Sequence, residues 1–207
     1  MLLKTYSSEA VDRAAAAVLA GEVVGYPTET FYALGADPRQ TRALDRIVEM
    51  KGRDPGKPLL LIVDSMDMLH EWVDSLPPTL ALVAEHFWPG PLTVVLRARA
   101  GLHDALTGDG STVALRLSSH PAARALVGSC EVALTGTSAN RAGASPPRAA
   151  TQVRDTFSVH EVGEILDGGE TAGGPPSTIL DLTAEPCRIL RPGAVSEAQI
   201  AEVLRLL

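Results

Sequence analysis

The sequence predicts an α/β protein built around a mixed β-sheet, on three observations. Segments with helical periodicity alternate with segments of strand-like periodicity along the chain. Several predicted strands follow one another without a helix between them, so some neighbours are expected to be antiparallel. The 207 residues, 45% of them hydrophobic, are enough for one domain that buries roughly 70% of the unfolded surface. We therefore expect a single domain over residues 1–207, with no additional C-terminal domain.

The N-terminal half predicts helices and strands in alternation. A helix opens at Ser8 and stops at Gly21, the following strand ends at Pro27, and a Trp-Pro-Gly-Pro segment at 88–91 breaks the chain again. The predicted elements are a helix over 8–21, a strand over 22–26, a polar loop over 28–30, a helix around 44–48, a strand over 59–63, and helical patterns at 66–73 and 79–87.

The C-terminal half is richer in strands. Residues 111–117 alternate with a period of two, which places Val113, Leu115 and Leu117 on one face and Thr112, Ala114 and Arg116 on the other. One face is expected in the core, and the other can serve a site. The remaining predictions are strands over 92–96, 132–135, 163–166, 178–182 and 187–190, a helix near 122–127, a closing helix from Ser196, and mobile loops over 168–176 and 98–110.

Charge and composition exclude several classes of protein. The chain has 18 Lys plus Arg against 25 Asp plus Glu, a net charge of −7, which argues against broad nucleic-acid binding because such surfaces are basic. A polyanion would have to meet a local basic pocket. Two distant cysteines, no secretory leader and no apolar run of ~20 residues predict a cytoplasmic protein without a membrane span.

Familiar motifs of nucleotide, metal and hydrolase sites are absent from the sequence. There is no P-loop, no GxGxxG after a strand, no GxSxG elbow, and no HExxH or zinc-type Cys/His spacing. Nucleotide binding would therefore use another solution, and we predict no intrinsic transition-metal site.

Three constellations remain as candidate sites. Lys51, Arg53 and Lys57 form a cationic loop suited to phosphate, or else a solvated turn. Thr112 and Arg116 project from one strand face about 13 Å apart and could contact two ends of one ligand, or else lie on an ordinary polar edge. Hydroxyl and amide groups at strand ends are a third candidate, or else caps of turns; these are Thr137, Ser138, Asn140, Ser177 and Thr178, with Arg191 nearby.

The sequence resembles the YrdC-like family through seven ordered motifs that cover nearly the whole chain. They are YPTETFYALG at 26–35, Lys51-x-Arg53 with Lys57-Pro58-Leu59, FWPGPLT at 87–93, Ala114-Leu115-Arg116, Ser138-Ala139-Asn140, Ser177-Thr178-Ile179, and Leu190-Arg191-Pro192-Gly193. The resemblance is to the single-domain form. It implies a twisted mixed sheet flanked by helices, with a basic concave cavity.

The resemblance also implies an activity and its substrates. It implies a nucleotidyltransferase that joins L-threonine, bicarbonate and ATP into threonylcarbamoyl-AMP and pyrophosphate, with Mg²⁺ arriving with ATP. The product would pass to downstream tRNA threonylcarbamoyl-transfer proteins. The catalysis would be positioning and charge stabilisation, which needs neither a histidine base nor a nucleophilic serine.

Site residues carry over from the family motifs. Threonine or its carbamate would be held by Thr30, Arg116, Ser138 and Ser177, with Arg116 pairing the carboxylate. ATP would be held by Arg53, Lys57, Thr112, Asn140 and Arg191. Lys51 and Arg53 would be the catalytic cations near the phosphates. The chain departs from the common family pattern at Ala33, Asp54 and Ala142.

Two other functions are compatible with parts of the pattern. The first alternative is an RNA-binding translation or ribosome-assembly factor that uses the same basic cavity, with weak RNA binding. The scarcity of aromatic residues for base stacking, 4% of the chain, weighs against it. The second is a carbamoyl-transfer module of the kind found in hydrogenase maturation.

Overall fold

The computed structural model describes residues 6–52, 57–108 and 110–206, and it confirms the α/β prediction with mixed sheets flanked by helices. The α-helices are α1 (Ser8–Leu19), α2 (Thr41–Lys51), α3 (Pro78–Phe87), α4 (Asp104–Thr107), α5 (Pro121–Cys130), α6 (Ala150–Thr156) and α7 (Glu197–Leu204). The strands are β1 (Val24–Pro27), β2 (Tyr32–Gly35), β3 (Leu61–Val63), β4 (Leu92–Arg97), β5 (Thr112–Leu117), β6 (Leu134–Thr135), β7 (Thr137–Ser138), β8 (Glu164–Ile165), β9 (Thr178–Asp181) and β10 (Arg188–Arg191).

The strands form two sheets. The four-stranded sheet has the order β7-β2-β1-β8, and the six-stranded sheet has the order β10-β9-β4-β5-β3-β6. Pairs β1/β8, β3/β5 and β4/β9 are parallel, and the other neighbours are antiparallel. Each sheet is therefore mixed, as expected from strands that follow each other without crossover helices.

The structure adds the strand β2 in a segment for which no element was predicted. The polar residues after Pro27 are a hairpin loop between β1 and β2, in which the Thr28 N–H and hydroxyl both donate to the Phe31 carbonyl at 3.0 and 2.8 Å. The register pairs Pro27 with Tyr32 directly across the loop. A four-residue strand of YALG has little alternation to show, because all four residues are buried.

Other differences concern short elements. The strand β7 and the helices α4 and α6 were not predicted, and α4 falls inside the expected loop over 98–110. The helical pattern at 66–73 is a 3₁₀-helix over Asp67–Glu71. Elements of two to seven residues contain too few turns or alternations to produce a periodic pattern.

Two predicted features of the longer elements are confirmed. On β5, Val113 and Leu115 are buried at 1% and 0% exposure in the core. At the C-terminus, Ser196 forms the predicted capping box, in which its side chain accepts from the Gln199 N–H and the Gln199 side chain accepts from the Ser196 N–H. No helix in the described part of the chain is long and apolar enough to cross a membrane.

Buried hydrogen bonds join the two sheets. The Tyr26 hydroxyl on β1 donates to the Thr135 carbonyl on β6 at 2.8 Å. The Thr135 hydroxyl donates to the Leu34 carbonyl and accepts from the Ala36 N–H, each at 3.0 Å. Tyr26 and Thr135 are fully buried, so these groups cannot exchange their partners for water. Burial raises the pKa of Tyr26, which keeps its phenol protonated as the donor.

The substitution Thr135→Val is expected to lower the free energy of unfolding by about 1–3 kcal/mol, because it leaves a buried carbonyl and N–H without the bridging hydroxyl. Urea unfolding of the two proteins measures the difference. Thr156→Val is the matched control, since the Thr156 hydroxyl bonds only within α6 and on an accessible face; we expect a change within about 0.5 kcal/mol. Equal losses in the two variants would contradict a bridging role for Thr135.

Candidate active site

A cavity of about 710 Å³ is lined by strands and loops of both sheets. The four-stranded sheet contributes residues of β2 and β7, and the six-stranded sheet contributes residues of β4, β5, β9 and β10. Ligand sites of this volume are common in enzymes. The cavity is therefore the candidate active site.

The strand β5 supplies one wall in the way that its alternation predicted. Thr112, Ala114 and Arg116 all line the cavity, while Val113 and Leu115 point into the core. Thr112 and Arg116 are four residues apart on one strand, a span of about 13 Å. The wall therefore presents a hydroxyl and a guanidinium to opposite ends of the cavity.

Most of the predicted site residues come together here. Seven of them line the cavity, namely Thr30, Lys57, Thr112, Arg116, Ser138, Ser177 and Arg191. Lys51 and Asn140 lie beside it and are not among the lining residues. Arg53 and Asp54 lie outside the described residues, so the roles predicted for them stay predictions.

The cations of the cavity wall are Lys57, Arg116 and Arg191, and no carboxylate is among the described lining residues. Arg116 is 3% exposed, whereas Lys57 and Arg191 are exposed at the cavity wall. A wall with this excess of cations attracts an anionic ligand although the whole chain carries a charge of −7.

Lys51 connects α2 to the strand end that carries Ser138. It is the last residue of α2 and is 5% exposed. Its ammonium donates to the carbonyls of Ser138 and Asn140 at 2.5 and 2.7 Å. The ammonium of Lys51 is thus bound to backbone carbonyls of the turn that carries Ser138. The catalytic role predicted for Lys51 stays a prediction.

Asn140 closes the turn after β7. Its amide nitrogen donates to the carbonyls of Arg141 and Ala144 at 2.9 and 2.8 Å. Its side-chain oxygen is buried and has no hydrogen-bond partner among the described residues. The turn-capping alternative therefore describes the amide nitrogen of Asn140, and its predicted contact with ATP stays a prediction.

Ser177, which directly precedes β9, and Arg191, the last residue of β10, are joined by hydrogen bonds. The Arg191 guanidinium donates to the Ser177 carbonyl at 3.2 and 2.7 Å and to its hydroxyl at 3.1 Å. The Ser177 hydroxyl also lies 2.9 Å from that of Thr93. The pair fixes a hydroxyl and a cation side by side on the cavity wall.

The loop over 168–176, which we predicted to be mobile, makes several contacts with β2 and the turn before it. The Tyr32 hydroxyl donates to the Gly169 carbonyl at 2.8 Å and accepts from the Gly168 N–H at 3.1 Å. The Gly173 N–H donates to the Thr30 carbonyl at 3.0 Å. The loop is thus hydrogen-bonded to the same turn that places Thr30 in the cavity.

Arg116 has an acidic partner that the sequence reading did not single out. Its Nη1 lies 3.6 Å from Oε1 of Glu29, with the two side chains 4% and 14% exposed. The other carboxylate oxygen accepts a hydrogen bond from the Ser118 hydroxyl. Glu29 stands inside the Thr28–Thr30 turn, but nothing in the local pattern indicates a contact with a strand 87 residues away.

His120 lies close enough to Glu29 to be affected by its charge. Its Nδ1 accepts the Ala122 N–H at 3.2 Å, as the N-cap of α5. Burial lowers the pKa of His120, an effect that the Glu29 charge opposes. Nδ1 of His120 is thus engaged in the helix cap, and Arg116 is the cation that pairs with Glu29.

The structure offers no carboxylate cage for a divalent cation. Among the described residues, no group of three or more His, Cys, Asp or Glu side chains could hold a metal ion. Proteins usually bind Mg²⁺ through one or two carboxylates together with substrate phosphates and water, and the described cavity wall has no carboxylate.

Comparison with known proteins gives consistent matches over most of the chain. Residues 16–193 match the model of the Sua5/YciO/YrdC family, described as telomere recombination. A threonylcarbamoyl-AMP synthase of Thiobacillus denitrificans is 42% identical over 162 residues, which is 78% of this chain and 85% of the relative. One of Pyrococcus abyssi is 37% identical over 191 residues, which is 92% of this chain.

The fold comparison agrees. The crystal structure of Pyrococcus abyssi Sua5 complexed with L-threonine superposes with a TM-score of 0.91 and 36% sequence identity, covering 96% of this chain and 58% of that one. The chain likewise spans 56% of the length of the Pyrococcus abyssi synthase. On the strength of the match over residues 16–193 and of relatives up to 42% identical, the chain belongs to the Sua5/YciO/YrdC family.

Proposed function

We propose that this protein is a nucleotidyltransferase that condenses L-threonine, bicarbonate and ATP into threonylcarbamoyl-AMP and pyrophosphate. The observation that carries the proposal is the cavity between the two sheets, which is lined by a buried arginine, buried hydroxyls and two exposed cations. Relatives named threonylcarbamoyl-AMP synthase, and one bound to L-threonine, support the substrate class.

Arg116 and the hydroxyls suit the amino acid. A guanidinium binds a carboxylate through two parallel N–H donors, and Arg116 lies within a wall that also presents Thr30, Ser138 and Ser177. These hydroxyls can bond to the amine, the side-chain hydroxyl or the carbamate of threonine. The amine adds to bicarbonate with loss of water, which gives the carbamate.

Lys57 and Arg191 suit the phosphates. The carbamate oxygen attacks the α-phosphorus of ATP, and pyrophosphate leaves with the electron pair of the broken P–O bond. Charge builds on the leaving group, and fixed cations lower the barrier when they stand where that charge develops. Thr112, at the far end of β5 from Arg116, gives a hydroxyl for the nucleotide end of the cavity.

We propose that Mg²⁺ is carried by the ATP phosphates, since the described cavity wall has no carboxylate for it. The product would serve tRNA threonylcarbamoyl-transfer proteins. The protein's part in the reaction is then to hold two reactants in contact and to exclude water, which suffices for large rate enhancements.

Incubation with ATP, Mg²⁺, L-threonine and bicarbonate is expected to release pyrophosphate only when both L-threonine and bicarbonate are present, because the nucleophile is the carbamate formed from them. A coupled pyrophosphate assay measures the rate, and mass spectrometry identifies threonylcarbamoyl-AMP. Release that is indifferent to L-threonine would contradict the proposal, and salt-sensitive tRNA binding without such release would favour an RNA-binding factor instead.

Arg116→Ala is expected to raise the KM for L-threonine by about 100-fold or more, since a charge-assisted pair to a buried carboxylate is lost. The KM for ATP should change much less, because Arg116 lies at the opposite end of the strand from Thr112. Initial rates with each substrate varied in turn test the split. A similar rise in both values would contradict the assignment of Arg116 to threonine.

Lys57→Met is expected to weaken ATP binding by about 5- to 30-fold, which corresponds to about 1–2 kcal/mol for one partly exposed cation on phosphate. Calorimetric titration with a non-hydrolysable ATP analogue measures the affinity. The weakening should shrink as salt rises, since Lys57 is exposed and its charge is screened. Unchanged affinity at low salt would remove Lys57 from the phosphate site.

A further inference from the structure

We propose that Glu29 is a positioning residue that orients the Arg116 guanidinium towards the substrate carboxylate. The inference rests on the proposed function and identifies Glu29 as the acidic partner of the buried Arg116. Glu29 is not among the cavity-lining residues, so it acts through Arg116 rather than on the substrate.

The geometry of the pair points to orientation rather than to a closed ion pair. Nη1 of Arg116 and Oε1 of Glu29 are 3.6 Å apart, which is attractive in a buried setting but too long for a hydrogen bond. Nε of Arg116 and Oε1 of Glu29 are both buried without a hydrogen-bond partner in the described part of the chain. The guanidinium is thus attracted on one side while its hydrogen-bonding capacity remains available.

The carboxylate is held by one hydrogen bond and by the backbone loop that carries it. Its Oε2 accepts a hydrogen bond from the Ser118 hydroxyl. The Ser118 oxygen in turn accepts one from the backbone N–H of His120 at 3.2 Å. On the other side, the hairpin loop that carries Glu29 is closed by the Thr28 hydroxyl on the Phe31 carbonyl. With Oε2 bound to Ser118 and the backbone loop closed, Oε1 is left facing Arg116 and defines a direction for its guanidinium.

Removal of the Glu29 charge has two opposing effects on an anionic substrate. The potential at the cavity becomes more positive, which favours a carboxylate. The guanidinium, 3% exposed, also loses the counter-charge that offsets its desolvation and turns towards water. The guanidinium must then be turned back from water before it can pair with the substrate carboxylate, and the free-energy cost of this reorientation exceeds the gain in potential, so the net result is weaker binding of threonine.

The same turn holds Thr30, which lines the cavity as Arg116 does. The Thr28 hydroxyl lies 3.1 Å from the Thr30 hydroxyl, so the loop that orients the arginine also orients this hydroxyl. Glu29 therefore faces Arg116 and lies on the loop that carries Thr30, two residues that we assign to threonine, and its loss is expected to affect threonine but not ATP.

The test is calorimetric titration of the full chain and its Glu29→Gln variant with L-threonine, L-threoninamide and an ATP analogue. We expect Glu29→Gln to raise the Kd for L-threonine about tenfold, which is about 1.4 kcal/mol. The Kd for L-threoninamide, which has no carboxylate, should change less than twofold, and so should that for the ATP analogue. Glu29→Asp, which keeps the charge, should recover part of the loss.

Glu164→Gln is the matched control, because Glu164 pairs with Arg13 at the same 3.6 Å on an exposed surface, away from the cavity. It should leave all three affinities unchanged. A second experiment tests whether Glu29 acts through Arg116. In the Arg116→Ala background, Glu29→Gln should raise the KM for L-threonine less than twofold.

Several outcomes would overturn the inference. They are unchanged or tighter L-threonine binding by Glu29→Gln, an equal loss for L-threonine and L-threoninamide, or an undiminished effect in the Arg116→Ala background. If Glu29→Gln fails to fold, which thermal unfolding reveals, Glu29→Asp decides by the same comparison of the two ligands. Failure of the unsubstituted protein to bind L-threonine would instead refute the proposed function itself.

Discussion

The contact between the two sheets is the constraint on which the rest of the molecule depends. Neither sheet alone encloses a site, because the cavity takes its walls from both. The Tyr26 phenol and the Thr135 hydroxyl hold β1, β2 and β6 together by hydrogen bonds that are closed to water. Hydrophobic packing brings the sheets together without direction, whereas these bonds specify one relative register. The groups that face each other across the cavity are held in place by that register.

The net charge of −7 and the cationic cavity wall are compatible because no carboxylate is among the described lining residues. Arg116 stands on a strand whose neighbours on both sides are other strands, and its charge is met by Glu29 from the opposite sheet. Lys51 is likewise buried, on carbonyls of the strand end that carries Ser138. Ion pairs on an exposed surface would not hold cations in fixed positions in this way, since solvent screens their attraction. Cations buried with defined partners give a fixed electrostatic shape to a protein of opposite net charge.

Local patterns in the sequence predicted much of the fold and part of the site. The alternation of β5 correctly separated Val113 and Leu115 from Thr112 and Arg116, because the period of a strand is local information. The capping box at Ser196 is local in the same way. Of the ten site residues that the family resemblance implied, seven line one cavity, although their motifs are scattered from Thr30 to Arg191.

The parts that were missed depend on distant contacts. The division into two sheets and the short strands β2 and β7 are set by pairing across the chain, which no window of a few residues contains. Glu29 was read as one polar residue of a turn, and its contact with Arg116 appears only when the hairpin is folded against the other sheet. The two hydrogen bonds from the Lys51 ammonium to the carbonyls of Ser138 and Asn140, which we call the Lys51 clamp, could not be predicted either. From the sequence alone, the same ammonium could equally have faced phosphate.

The Lys51 clamp restricts the side chains that can occupy position 51. A flexible, compact ammonium distributes its donors over oxygens in different directions, and here it meets two carbonyls that belong to residues two apart in one turn. A guanidinium is planar and presents its donors as a rigid fork. Lysine and arginine carry the same charge, but at this buried position the shape of the cation, rather than its charge, determines which of them the turn accepts.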